Sequence, residues 1–181
     1  MSDAVFGKFI ADVRDTLKKG QDTKAVEAVR QRLTKLLQDR DFVERTCGKG
    51  AKGGLHRLHT DPELGFEVLA HINDKARRSP PHDHGESWAV YGQAVGHTDM
   101  TEYRRTDDGS VEGEAKLEVT RKYRLNPGEV GMFADGAIHA IDYPDGSRFI
   151  RVTGTNLDAI ERVAYDEATG RIKRMAAQQA T

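Results

Sequence analysis

PPHDHGESWAVYGQAVG, Pro80 to Gly96, decides how this chain is read. Two histidines, His82 and His84, stand one residue apart directly behind two prolines. Prolines fix their own φ and hold the preceding residue extended, so the histidines enter on a stiffened, extended approach. In extended chain, residues i and i+2 point to the same side. The two imidazoles then project together, and neutral rings with a shared focus suit a divalent metal. The spacing by itself serves equally well for a solvated loop. Glu86, two residues on, falls on the same side if the extension continues, and is expected at the rim or behind the ligands.

Around this stretch the texture is that of a β protein. Segments 65–72, 87–96, 97–105, 115–125, 129–134, 137–143 and 147–155 read as strands, separated by DP, DDG, NPGE, ADG and PDG turns. Short strands at this spacing indicate a sandwich or barrel. NPGEVGMFADGAIHAIDYP, residues 126–144, reads as a hairpin that returns a third imidazole, His139, to the barrel mouth.

The N-terminal part differs. Val5, Phe9, Val13 and Leu17 share a helical face that ends at Gly20, and Asp22 or Thr23 can cap a second helix. Its stripe is Val26, Val29, Leu33, Leu36 and Leu37. Two amphipathic helices packed on a core account for residues 1–45, a barrel for 46–173, and a loose tail for 174–181. The loop 47–54, CGKGAKGG, is glycine-rich and basic but lacks the full phosphate-loop pattern.

Composition narrows the function classes. The 28 basic and 29 acidic residues give a net charge of −1, which speaks against binding nucleic acid through counterion release. No apolar run approaches the roughly 20 residues of a membrane span. The first residues carry acids without an apolar signal core, and Cys47 is the only cysteine, so a reducing cytoplasmic location is expected.

Together the two histidine segments resemble the motifs of the cupin superfamily. His82, Asp83 and His84 supply the H-x-H of the first motif and Gly96 its closing glycine. Counting back six intervening residues from Gly96 puts Ala89 where that motif has glutamate. In the second, Gly128, Gly136 and His139 keep the spacing, with Ala134 in the proline's place and Tyr143 in the asparagine's. Ala76 stands where the first motif begins with glycine. Within cupins the chain looks similar to thiol dioxygenases of the cysteine dioxygenase type, through HDH, the absent glutamate and YDEATG at 165–170.

The resemblance implies a small β-barrel with an N-terminal helical segment, holding iron(II) on His82, His84 and His139; nickel, manganese or zinc are the alternatives. It implies a dioxygenase acting on a small anionic substrate with dioxygen; the sequence leaves open whether the chain is a monomer or dimer. That family's serine, histidine and tyrosine on a late strand are replaced by Phe149, Arg151 and Thr153, and its carboxylate-binding arginine falls near His56 and Arg57. The loss of that set keeps a non-oxidative cupin, an isomerase, lyase or small-molecule-binding module, as the second reading. No catalytic acid or base is assigned. If Ala89 faces the metal, so do Tyr91 and Gln93, and with Arg151 these are the expected substrate contacts. Arg151 either binds a substrate carboxylate or pairs with an acid such as Glu86 or Asp142. His97 and Thr153 are expected behind the ligands.

Overall fold

The computed structural model describes residues 4–178. Three helices open the chain: α1 (Ala4–Leu17), α2 (Thr23–Leu36) and α3 (Arg40–Cys47). Asp22 caps α2 by accepting the Ala25 N–H at 2.9 Å, and Asp39 caps α3 through Phe42 N at 2.7 Å. Helix α3 had no separate sequence expectation; with only eight residues it has too few turns for an apolar stripe to stand out. Val5, assigned to the buried stripe of α1, is exposed. Phe6 takes that role, stacking on Phe9 and Phe42.

The strands are β1 (Gly54–Thr60), β2 (Glu67–Ile72), β3 (Arg77–Arg78), β4 (Ala89–Val95), β5 (Thr98–Arg105), β6 (Leu117–Leu125), β7 (Val130–Phe133), β8 (Ile138–Tyr143), β9 (Arg148–Thr153), β10 (Arg162–Tyr165) and β11 (Ile172–Met175). All seven expected strands are present. β1, β3, β10 and β11 are additional: they are polar or very short, and the apolar-pattern criterion passes over such segments. β11 also extends past Lys173, where a loose tail was expected. Of that tail, residues 179–181 lie outside the described residues.

One antiparallel sheet runs β1-β2-β9-β4-β7 and a second β3-β8-β5-β6. Strands adjacent in sequence repeatedly cross between sheets, and this interleaved order is that of the jelly roll on which cupins are built. The fold is mainly β, a cupin-type barrel with N-terminal helices. Its two faces do different work. Outward residues of the larger sheet, Val68, Ala70, Ile72, Val90, Ile150 and Val152, form one core with Val13, Val26, Val29 and Leu33 of the helices. Helix α2 lies so close that a Cβ on Gly92 would meet Leu37 Cδ1 at 2.7 Å. The alternate residues, Ala89, Tyr91, Phe133 and Phe149, face the barrel interior with Met100, Leu125 and Tyr143. β4 is covered on both faces, which is why it reads as a nearly continuous apolar run. The loop after α3 is anchored by Arg148, whose guanidinium donates to the carbonyls of Cys47 and Gly48.

Candidate metal centre

His82 and His139 exchange both backbone hydrogen bonds, each N–H···O distance 2.9 Å. Such a pair sets two side chains on the same face. Their ring centroids lie 4.6 Å apart, and His84 completes a triangle at 5.4 Å from His82 and 4.8 Å from His139. One ligand nitrogen from each ring falls within 4.8 Å of the others.

Hydrogen bonds select the ring nitrogens. His82 Nδ1 lies 3.0 Å from the Pro80 carbonyl and His139 Nδ1 3.3 Å from that of Ala137. A carbonyl only accepts, so each Nδ1 carries the proton and each Nε2 keeps its lone pair. His139 Nε2 is buried and has no hydrogen-bond partner among the described residues. Burial pushes the imidazolium pKa of His139 down to about 3, with the facing His82 next in effect. Burial likewise lowers His82 and holds His84 well below its ordinary value, helped by the other rings and by Arg151 and Arg162. At neutral pH all three rings are therefore uncharged. Three neutral imidazoles with an orphan buried lone pair fit a borderline divalent cation such as iron, zinc or nickel better than magnesium or calcium.

Asp83, between the two ligands, was not singled out from the sequence. Its Oδ1 accepts the N–H groups of Gly85 (3.0 Å) and Val163 (2.9 Å), and Tyr165 donates to Oδ2 at 3.4 Å. Burial and the Asp83 charge push the Tyr165 phenol up to about 12, so it stays a donor. Asp83 thus ties the ligand segment to β10. An aspartate between two histidines carries no sequence signal of this role, because Val163 and Tyr165 lie 80 and 82 residues away.

A cavity of about 320 Å³ is lined by His82, while His84 and His139 are buried and do not line it. Leu69, Tyr91, Tyr143, Phe149 and Arg151 are among its walls. A groove of about 550 Å³ between α1 and α2 is larger but contains no histidine. Tyr91 and Arg151 are direct cross-strand neighbours on β4 and β9. The Tyr91 hydroxyl lies 3.3 Å from His84 Nε2, and the Arg151 guanidinium carbon 6.0 Å from the Tyr91 ring centroid. The Arg151 side chain has no ion pair or hydrogen bond among the described residues, and its Nε is buried. Neither Glu86 nor Asp142 pairs with it.

Other expected residues lie elsewhere. Gly85 adopts φ +56°, and a Cβ there would clash with the Glu161 carbonyl oxygen. This left-handed turn ends the extension and leaves Glu86 exposed, away from the ligands. Gln93 does not line the cavity. Its amide donates to Ser147 Oγ (2.9 Å) and Val95 O (2.8 Å) and accepts from Thr98 Oγ1 (2.8 Å), fastening the turns beyond the far end of β4. His97 belongs to those turns, its carbonyl accepting from Ser147. Thr153 is fully buried and donates to the Thr155 carbonyl at 2.8 Å. Arg57 and His71 do reach the cavity, His71 stacked on Phe149 at 4.4 Å between centroids.

No family model and no curated protein matches the chain. Among solved structures it is similar to KdgF from a Halomonas species, with 17% identity and a TM-score of 0.41 over 55% of this chain and 74% of that one. It is also similar to the cupin domain of Schizosaccharomyces pombe Cnp3 (11% identity, TM-score 0.45, 61% and 68% covered). A third is the L-ribose isomerase of Cellulomonas parahominis (14% identity, TM-score 0.45, 56% and 60% covered). The jelly-roll assignment rests on the strand order itself. Among the described residues, no helix is long and apolar enough to cross a membrane.

Proposed function

We propose that the protein is a metal-dependent cupin enzyme, a mononuclear non-haem iron dioxygenase of the cysteine dioxygenase type acting on a small anionic substrate. The observation that carries this reading is the convergence of three neutral, largely buried imidazoles beside a cavity whose Arg151 guanidinium has no ion pair or hydrogen bond among the described residues. His82, His84 and His139 would hold the metal, leaving up to three coordination positions open. A bound iron(II) supplies the redox chemistry that lets dioxygen react with an otherwise inert substrate.

The chain's own residues do the rest. Arg151 binds the substrate anion through its planar fork and sets its orientation in the cavity. An unpaired, half-buried guanidinium is costly, and a bound carboxylate relieves that cost. Tyr91, with its hydroxyl beside His84 and its ring beside Arg151, is placed to touch a ligand between the two. Leu69, Tyr143 and Phe149 close the walls and keep bulk water from the substrate.

A non-oxidative cupin, an isomerase or lyase, is the second reading, favoured by one observation. Phe149, Arg151 and Thr153 replace the serine, histidine and tyrosine of thiol dioxygenases, and Thr153 is turned to the Thr155 carbonyl instead of the cavity. Metal analysis and an oxygen electrode separate the two. Iron-loaded protein screened against small thiols and β-dicarbonyl acids is expected to consume oxygen with one of them, and Arg151→Met to lose that uptake. Protein that retains zinc, nickel or manganese and consumes no oxygen with any of them overturns the dioxygenase reading.

A further inference from the structure

The cavity holds more positive charge than one anionic group requires. Four guanidinium groups line it, from Arg57, Arg77, Arg151 and Arg162, against the carboxylates of Glu67 and Asp158. Arg57 is occupied by Glu67, Nε to Oε1 2.9 Å. Arg151 is unpaired. Arg162 gives one Nη2 bond of 3.0 Å to Asp158, and its buried Nε has no partner among the described residues. A guanidinium carries five N–H donors, so most of those on Arg162 remain for a ligand.

The fold holds Arg162 in place. β10 is laid along the ligand segment: Asp83 N donates to Val163 O at 2.9 Å, Val163 N to Asp83 Oδ1 at 2.9 Å, and Tyr165 N to Pro81 O at 2.8 Å. His82 also bridges Ala164. Arg162 therefore begins one residue from a double tether to the metal-binding segment. Arg151 enters the cavity from β9, on the opposite sheet wall. Both guanidinium groups line the same cavity, together with His82.

We propose that the cavity takes a small dicarboxylate, one carboxylate on Arg151 and the second on Arg162. This rests on reading the cavity as the anionic substrate site above. The planar forks match carboxylates bidentately, and Leu69, Tyr143 and Phe149 offer an apolar surface to the carbon chain that joins them. At about 320 Å³ the cavity is at the small end of ligand sites and suits a chain of a few carbons.

Calorimetric titration of the protein with succinate, glutarate and adipate, against butyrate, tests this with and without bound metal. The best dicarboxylate is expected to bind at least about 10-fold tighter than butyrate, the effect of one added charge-assisted contact. Arg162→Met should erase that difference while leaving butyrate affinity, metal content and circular dichroism unchanged, and Arg162→Lys should restore part of it. Arg151→Met should weaken both ligands. Equal affinity for butyrate and all three dicarboxylates, or an Arg162→Met protein that keeps the preference, overturns the proposal. Discrimination that persists in protein without oxygen uptake removes only the dioxygenase reading.

Discussion

Replacing His139 with leucine separates a metal ligand from a packing residue. The ring is fully buried, lies over Phe133 with centroids 4.0 Å apart, and leaves Nε2 without a partner among the described residues. Leucine keeps much of the volume and removes that nitrogen, whose unsatisfied burial costs about 1–3 kcal/mol. Repacking around a new shape opposes this gain, usually by less than about 1.5 kcal/mol. The metal-free variant is therefore expected to lie between about 0.5 kcal/mol less and about 3 kcal/mol more stable than wild type, a melting shift of at most roughly 6–12 °C. With metal they diverge. At a metal concentration 100 times its dissociation constant, wild type gains about 2.7 kcal/mol, or roughly 5–11 °C. Loss of an outer-shell group alone costs about 10–100-fold in metal affinity, so loss of a ligand costs at least about 100-fold. The same metal concentration then gives the variant about 0.4 kcal/mol, less than about 2 °C. Differential scanning fluorimetry under anaerobic conditions, with iron(II) or zinc, reads both effects. A His139→Leu protein that keeps the full metal-dependent shift, or stoichiometric metal by elemental analysis, refutes the assignment of His139.

Two further substitutions probe the support around the site. Asp83→Ala leaves all three imidazoles present and keeps the backbone bonds to β10, but removes the side-chain ties to Gly85, Val163 and Tyr165; a metal affinity about 10–100-fold weaker is expected in a chelator competition, and unchanged affinity would show that the Asp83 carboxylate does not position the histidines. Asp61 tests the link between α1 and the barrel. Burial alone would raise its pKa, but Leu64 N (2.9 Å), Arg14 Nε (2.6 Å) and Glu63 N (3.0 Å) outweigh it and hold the carboxyl below its ordinary value. A depressed folded pKa stabilises above the unfolded value of about 4, and that contribution fades as pH falls through the folded one. Asp61→Asn is thus expected to cost about 1–3 kcal/mol at pH 7 and progressively less as the pH falls below about 4, by urea denaturation; a gap independent of pH contradicts the reasoning.

Much of the scaffold was legible because its signals are local. Turn residues between 105 and 147 bracket the strands, and the α2 stripe follows one helical face from Val26 to Leu36. The polar strand β1 was not legible, since its pairing with β2 decides its conformation and its residues do not. Gln93 shows the limit of alternation. It does sit on the inward face with Ala89 and Tyr91, as i and i+2 require, yet the barrel at its level is filled by Thr98 and Ser147. Alternation assigns a face; it says nothing about what stands opposite. Glu86 failed for a different reason: one glycine in the left-handed region ended the extended run on which its placement depended.

The sequence by itself determined the strand-and-turn rhythm and the helical stripes, which follow from backbone sterics and periodicity acting over a few residues, and its resemblance to the cupin motifs pointed to His82, His84 and His139 as a set. Only the tertiary structure decided that the three imidazoles meet, that Arg151 has no ion pair among the described residues, and that Asp83 brings Arg162 to the same cavity across about 80 residues of chain. Those outcomes depend on which groups are desolvated together, and desolvation is set by the packing of distant segments.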